Sequence, residues 1–281
     1  DMGATYVVCI VPLWKWLFTP RVSYLLLSRK EELVDDGTAD SMFGKLDLQL
    51  DNLPSWLLPA DFSTNDKRFR QERKLWNPDT GAIIKGESTN NAAGVGGRQT
   101  VVVLDELARM DDAQTIWDGL QAVTSSRWAN FTAYPGKEFA RSLTEHKGIV
   151  QIRMHWTAHP VKNVGMYVVE GGETKVLSAG LPDGYEVVPD GKVRSPWYDA
   201  ECARASNQAA IDTNLDMLWV GAASCVFDLA ALDRIERTVV REPFFKGDVM
   251  FTPPGEGNQS WYADARVVEG IRGPLQCWFV A

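Results

Sequence analysis

The sequence predicts an α/β protein built on a mostly parallel sheet with flanking helices. Two observations lead there. Strand-length apolar runs alternate with helix-like text through the first 156 residues, the order that gives parallel sheets covered by helices. The run at residues 101–104 is aliphatic throughout, as a strand buried on both faces requires, and it ends in two adjacent carboxylates, Asp105 and Glu106. An unpaired buried carboxylate neutralises or finds a cation. The pair therefore marks either a solvated strand end or a site that holds a metal or a proton.

The elements follow in order. "YVVCIVPLWKWLF" reads as a helix with bulky apolar residues on most faces, hence well buried. "RVSYLLLS" suits a central strand, and charged helical text follows from Arg29 to Asp36. Residues 47–59 read as a leucine-rich helix broken at Pro54 and Pro59. "LWNPDTGAIIKG" predicts two strands joined at Pro78-Asp79-Thr80-Gly81. A glycine-rich loop, "ESTNNAAGVGGR", feeds the strand at 100–104. A helix at 111–123, a strand "RWANFTAY", another helix and a strand "GIVQIRMHW" complete the alternation. Residues 165–193 change to short strands split by Gly-Gly and two Pro-Asp-Gly turns, an inserted β-meander. Residues 195–237 read as helices, and the Pro/Gly content from 242 reads as a connector.

Composition narrows the function classes. The chain has 281 residues, 45% of them hydrophobic, and a formal charge of -8. That length buries a substantial core, and the charge argues against a generally sticky nucleic-acid binder. No run of about 18 apolar residues exists, which excludes a membrane-spanning helix. The apolar start has neither the basic region nor the cleavage site of a signal peptide. Cys9, Cys202, Cys225 and Cys277 lack CxxC spacing, which fits a reducing cytoplasm better than a disulfide or zinc framework.

Asp105 and Glu106 stand at the C-terminal end of a parallel strand, the edge where open α/β sheets place ligands. Four hydrophobic residues followed by Asp-Glu is the Walker B pattern, in which the Asp holds Mg²⁺ and the Glu polarises an attacking water. Upstream, Gly3-Ala4-Thr5 occupies the place of the last three residues of G-x-x-x-x-G-K-[ST]. Thr5 would be a hydroxyl ligand to Mg²⁺, and the helix behind it would present its N-terminus to phosphates. Ala4 stands where a Lys is usual. The expected fold is accordingly P-loop NTPase-like.

"DMGAT", "LLLSRKEELVD", "LPSWLLP", "ESTNNAAGVGGRQTVVVLDELA", "FTAYPGKEF", "HWTAHP" and "SPWYDAECARA" follow one another in this order. The series resembles the ATPase part of the large terminase subunit, the DNA-packaging motor of tailed bacteriophages. The resemblance implies ATP and Mg²⁺ as cofactors. Gly3, Ala4, Thr5 and Asp105 would bind the nucleotide, with Thr5 and Asp105 on the metal. Glu106 would be catalytic, Thr132 would sense the γ-phosphate, and Arg98 would stabilise transition-state charge, across a subunit interface. Relatives commonly carry a second Arg where Val95 stands here.

It further implies residues 1–193 as the ATPase domain, 194–241 as a helical lid or linker, and 242–281 as a connector toward a nuclease domain. A chain opening on Asp1 and closing on "LQCWFVA" reads as truncated at both ends. The strand and basic residue ahead of the phosphate loop would then be missing, leaving the strand at 100–104 with an open side. The isolated chain would bind ATP weakly and hydrolyse none. Implied partners are double-stranded DNA, the portal protein, the small terminase subunit and copies of the chain in a ring. No membrane is involved, and the setting is the bacterial host cytoplasm.

Other features read blandly. His155 and His159 precede Pro160 on strand text, which spoils a metal-pair geometry. The basic run at 67–74 reads as a solvated helix face, with a DNA-backbone contact as the sharper alternative. Trp14, Trp16, Trp56 and Trp76 read as packing residues. Asp199 and Glu201 read as charges at a helix start after Ser195-Pro196. Two rivals to the packaging motor are a helicase-like ATPase and a non-catalytic binding module.

Overall fold

A computed structural model of the chain describes residues 2–89, 97–134 and 136–219. The chain divides into two compact units, Asp1–Ala231 and Leu232–Ala281. All described residues belong to the first. The predicted connector and residues 220–241 of the predicted lid lie outside them, as does Val95.

The frame is a six-stranded sheet. In chain order its strands are β1 (Ser23–Ser28), β2 (Arg70–Gln71), β3 (Lys74–Trp76), β4 (Ile83–Ser88), β5 (Val101–Asp105) and β6 (Arg127–Asn130). Their spatial order is β2-β3-β4-β1-β5-β6. β4, β1, β5 and β6 run parallel, and the β2–β3–β4 meander adds antiparallel pairs at one side. This is the α/β, mostly parallel architecture expected from the alternation, and it is consistent with a P-loop NTPase-like fold.

Both faces are covered. On one, α1 (Ala4–Phe18), α2 (Glu31–Val34) and α3 (Met42–Asp51) pack Cys9, Leu13, Trp16, Val34, Phe43 and Leu46 against Tyr24, Leu26, Ile84 and Val103. On the other, α4 (Ala113–Gly119) and α5 (Glu138–Glu145) bring Ala113 and Leu143 against Leu25, Leu27, Val102 and Leu104. The alternation of these names along β1 and β5 is the period of two expected of strands.

The structure departs from expectation at several elements. β5 pairs on both sides, with β1 and with β6, so no open side exists beside it. Among the described residues the outer strands of the sheet are β2 and β6. α3 starts before residue 47, because Ser41 caps it by accepting a hydrogen bond from Gly44 N–H at 3.1 Å. The basic run forms no helix; it crosses the β2–β3 hairpin. There the half-buried Arg70 lies between Asp35 (3.0 Å) and Asp47 (2.8 Å). The stretch "GIVQIRMHW" forms no strand, and Val150 and Ile152 stand 91% and 84% exposed. α1 is buried along one side only: Tyr6, Val7, Ile10, Val11, Trp14 and Phe18 are exposed.

Beyond the sheet, β7 (Tyr167–Glu170) and β8 (Glu173–Val176) form one antiparallel hairpin turned at Gly171-Gly172, where a longer meander was expected. α6 (Pro196–Arg204) starts as predicted, with Ser195 capping and Pro196 in the first turn. Asp199 does more than complement a helix dipole. It accepts from Tyr167 (2.7 Å), Tyr185 (2.9 Å) and Arg194 (2.5 Å), tying the hairpin to α6. α7 (Gln208–Asn214) follows, capped by Asn207.

Candidate active site

The C-terminal ends of β1, β5 and β6 bring the candidate residues together. Asp105 closes β5 and is 6% exposed. The hydroxyl of Thr5, from the first turn of α1, reaches its two carboxylate oxygens at 3.3 and 3.4 Å across 100 residues of chain. Gly3 makes that approach practicable. It caps α1 in the left-handed conformation (φ 70°), which costs glycine no side-chain clash. Ala4 starts the helix and brings no charge to the site.

Asn130, level with Asp105 on β6, donates to Asp105 Oδ1 at 2.6 Å. Burial pushes the Asp105 carboxyl above the ordinary carboxylate range. The Asn130 hydrogen bond pulls the other way, the Glu106 charge adds to the rise, and the Thr5 hydroxyl and the Lys45 ammonium offset part of it. Lys45 stands on α3 with its ammonium 5.6 Å from the Tyr6 ring. Cys9, beneath the same turn of α1, is pushed up to about 12, chiefly by burial and then by the Asp105 charge.

Glu106 follows in the left-handed region (φ 58°, ψ 36°), uncommon for a residue with a side chain. That backbone turns it away from the strand direction and out of the core. Its carboxylate accepts from Arg29 Nε at 3.0 Å.

Two predicted residues are not brought here. Arg98 precedes β5 and stands exposed beyond the opposite end of a strand that itself spans roughly 13 Å. Within one chain it therefore cannot reach Asp105. Thr132 lies past the paired part of β6 and is exposed; Asn130, two residues earlier, is the β6 residue that contacts Asp105. Asn130 and Arg29 were missed from sequence. The signal for Asn130 was a polar residue inside strand text, at a position that only the register singles out.

His155 accepts from Thr157 N–H at 3.4 Å and starts a single 3₁₀ turn, and His159 accepts from Val161 N–H at 3.2 Å. Both are occupied locally. Among the described residues no helix is long and apolar enough to cross a membrane.

No protein-family model and no curated protein matches the chain. Among solved structures, a mutant of the Thermus phage P74-26 large terminase ATPase domain is similar. The identity is 12% and the TM-score 0.44, over 78% of this chain and 86% of that one.

Proposed function

We propose that the chain is the ATP-hydrolysing part of a viral large terminase, a motor that packages double-stranded DNA. The observation that carries the chemistry is the meeting of Thr5 and Asp105. A hydroxyl at a helix start and a buried strand-end carboxylate lie within 3.4 Å of each other, although 100 residues separate them. Hard oxygen donors of this kind suit Mg²⁺, which takes one or two protein oxygens and keeps several waters. The N–H groups of the first turn of α1, which have no acceptor within the helix, face the same place and favour an anion.

In this reading Thr5 and Asp105 hold the cation, and Gly3 and Ala4 leave room for phosphate beside the helix start. Bound Mg-ATP supplies the reacting γ-phosphate. Glu106, adjacent and more exposed, orients the attacking water and takes its proton. Asn130 fixes the Asp105 carboxylate and occupies the strand end from which a γ-phosphate is sensed. Lys45 contributes positive charge on the side of α1 where Ala4 has none. Arg98, at the far end of β5, serves only a neighbouring subunit's site in a ring.

Packaging, with portal protein and small terminase subunit as partners in the host cytoplasm, is supported by the order of sequence strings from "DMGAT" to "SPWYDAECARA". The test of the chemistry is a pair of substitutions in the full-length protein. Glu106→Gln is expected to abolish turnover with nucleotide binding kept, and Asp105→Asn to weaken Mg-nucleotide binding. Equal turnover in Glu106→Gln and the unsubstituted protein rejects the assignment and favours a binding module.

A further inference from the structure

The strand ends carry a row of polar side chains under α1. Along β1, Tyr24 and Leu26 belong to the core beneath α1, while Leu25 and Leu27 face the other way. Alternation therefore puts Ser28 on the α1 side. The same count along β5, from Val101 and Val103, puts Asp105 there as well. Ser28 follows Leu27, the register partner of Leu104, so Ser28 and Asp105 are neighbours on adjacent strands. Asp105 has Thr5 and Asn130. Ser28 is fully buried, and among the described residues its hydroxyl has no hydrogen-bond partner.

A buried hydroxyl without a partner is destabilising, and alanine at that position would remove the defect. Such a group points to something that satisfies it in another state. We propose that Ser28 is a positioning residue for the bound cation, its hydroxyl holding a water of the Mg²⁺ shell beside Asp105. The proposal rests on the reading of Thr5 and Asp105 as the cation site. The chemistry matches, because a hydroxyl both donates and accepts, and Mg²⁺ gives up its waters reluctantly. Ser28 thus completes a polar row whose other members already meet one another.

The experiment reads binding and stability together. Mn²⁺ with ADP is titrated into the full-length protein and into Ser28→Ala, Ser28→Cys and Asp105→Asn variants, and melting is followed with and without the ligand. Outer-shell partners of metals are worth about tenfold or more in affinity. Ser28→Ala should bind Mn-ADP about tenfold more weakly, yet melt higher than the unsubstituted protein when ligand is absent. Ser28→Cys, which keeps the volume and loses the strong hydrogen bond, should weaken binding in the same way. Unchanged affinity in both variants overturns the proposal and leaves Ser28 a tolerated defect. Unchanged affinity in Asp105→Asn overturns the cation site itself, and Ser28's role with it.

Discussion

Arg29 donates to Glu106 at 3.0 Å, joining the end of β1 to the residue after β5. The two side chains are 36% and 38% exposed, so the pair adds little to stability, at most about 1 kcal/mol. Its consequence lies in where the Glu106 carboxylate rests. One oxygen is engaged by a guanidinium and withheld from water. Arg29→Ala should leave the unfolding midpoint nearly unmoved and raise basal ATP turnover by roughly two- to fivefold, a factor that the loss of a weak ion pair can supply. Steady-state ATPase rates beside urea melts check it; turnover equal to that of the unsubstituted protein would make the pair incidental.

Asp105 predicts a pH dependence whose sign is fixed by burial. Its folded-state value lies above the ordinary 3.8. The native protein therefore holds this proton where the unfolded chain has lost it. The associated stability is fully present below the unfolded value and is lost as pH rises through the folded one. Asp105→Asn should lack that decline, and it should be more stable than the unsubstituted protein at pH 7 in the absence of metal. Mg-nucleotide should narrow or reverse the gap, since a cation favours the carboxylate. Urea denaturation from pH 4 to 7 reads both slopes.

Asn130 and Thr132 separate cleanly. Asn130→Ala removes the 2.6 Å donor from a buried carboxylate and should lower turnover by about tenfold or more, a loss of order 1.4 kcal/mol. Thr132→Ala, at an exposed position, should stay within about twofold. Similar losses in both would return the sensing role to Thr132.

These residues also show what the sequence could carry. Asp105, Glu106 and Thr5 were legible because strand-end carboxylates and a Gly-x-Thr helix start are local patterns. Asn130 was not, because its importance comes from the pairing of Asp105 with Asn130 across two strands. For Arg98, adjacency in sequence to a strand conceals which end of that strand it occupies. The stretch "GIVQIRMHW" has the alternation of a strand, but strand assignment needs a hydrogen-bonded neighbour, and Val150 and Ile152 face solvent. The basic run misled for a related reason, since its charge is answered by Asp35 and Asp47 from distant helical text.

Arg70 accordingly predicts a stability effect where the sequence suggested a DNA contact. Its side chain is 10% exposed and is shared by two carboxylates. Arg70→Ala leaves Asp35, itself 7% exposed, without its cation and should be destabilising by about 3–5 kcal/mol. Substituting the exposed Arg68 in the same way should stay within about 0.5 kcal/mol. Guanidinium or urea melts of the two variants decide it; equal stabilities would place Arg70 back on the surface.

The last prediction concerns α1, whose apolar residues fall into two sets. Cys9, Leu13 and Trp16 are at most 2% exposed and face the core. Tyr6, Val7, Ile10, Val11, Trp14 and Phe18 follow helical spacing on the other side, with Ile10 and Trp14 more than half exposed. A contiguous apolar stripe of that length, on a molecule whose β6 edge is unpaired among the described residues, favours self-association. The double substitution Ile10→Gln, Trp14→Gln should raise the monomer fraction in light scattering and reduce binding of a hydrophobic dye. Because both side chains face solvent, Tm should move by less than about 2–4 °C. Leu13→Ala, one turn away on the buried side, should be destabilising by about 2–5 kcal/mol without improving solubility. If the double variant loses stability as Leu13→Ala does, the stripe is covered in solution, and α1 is buried all round as its composition suggests.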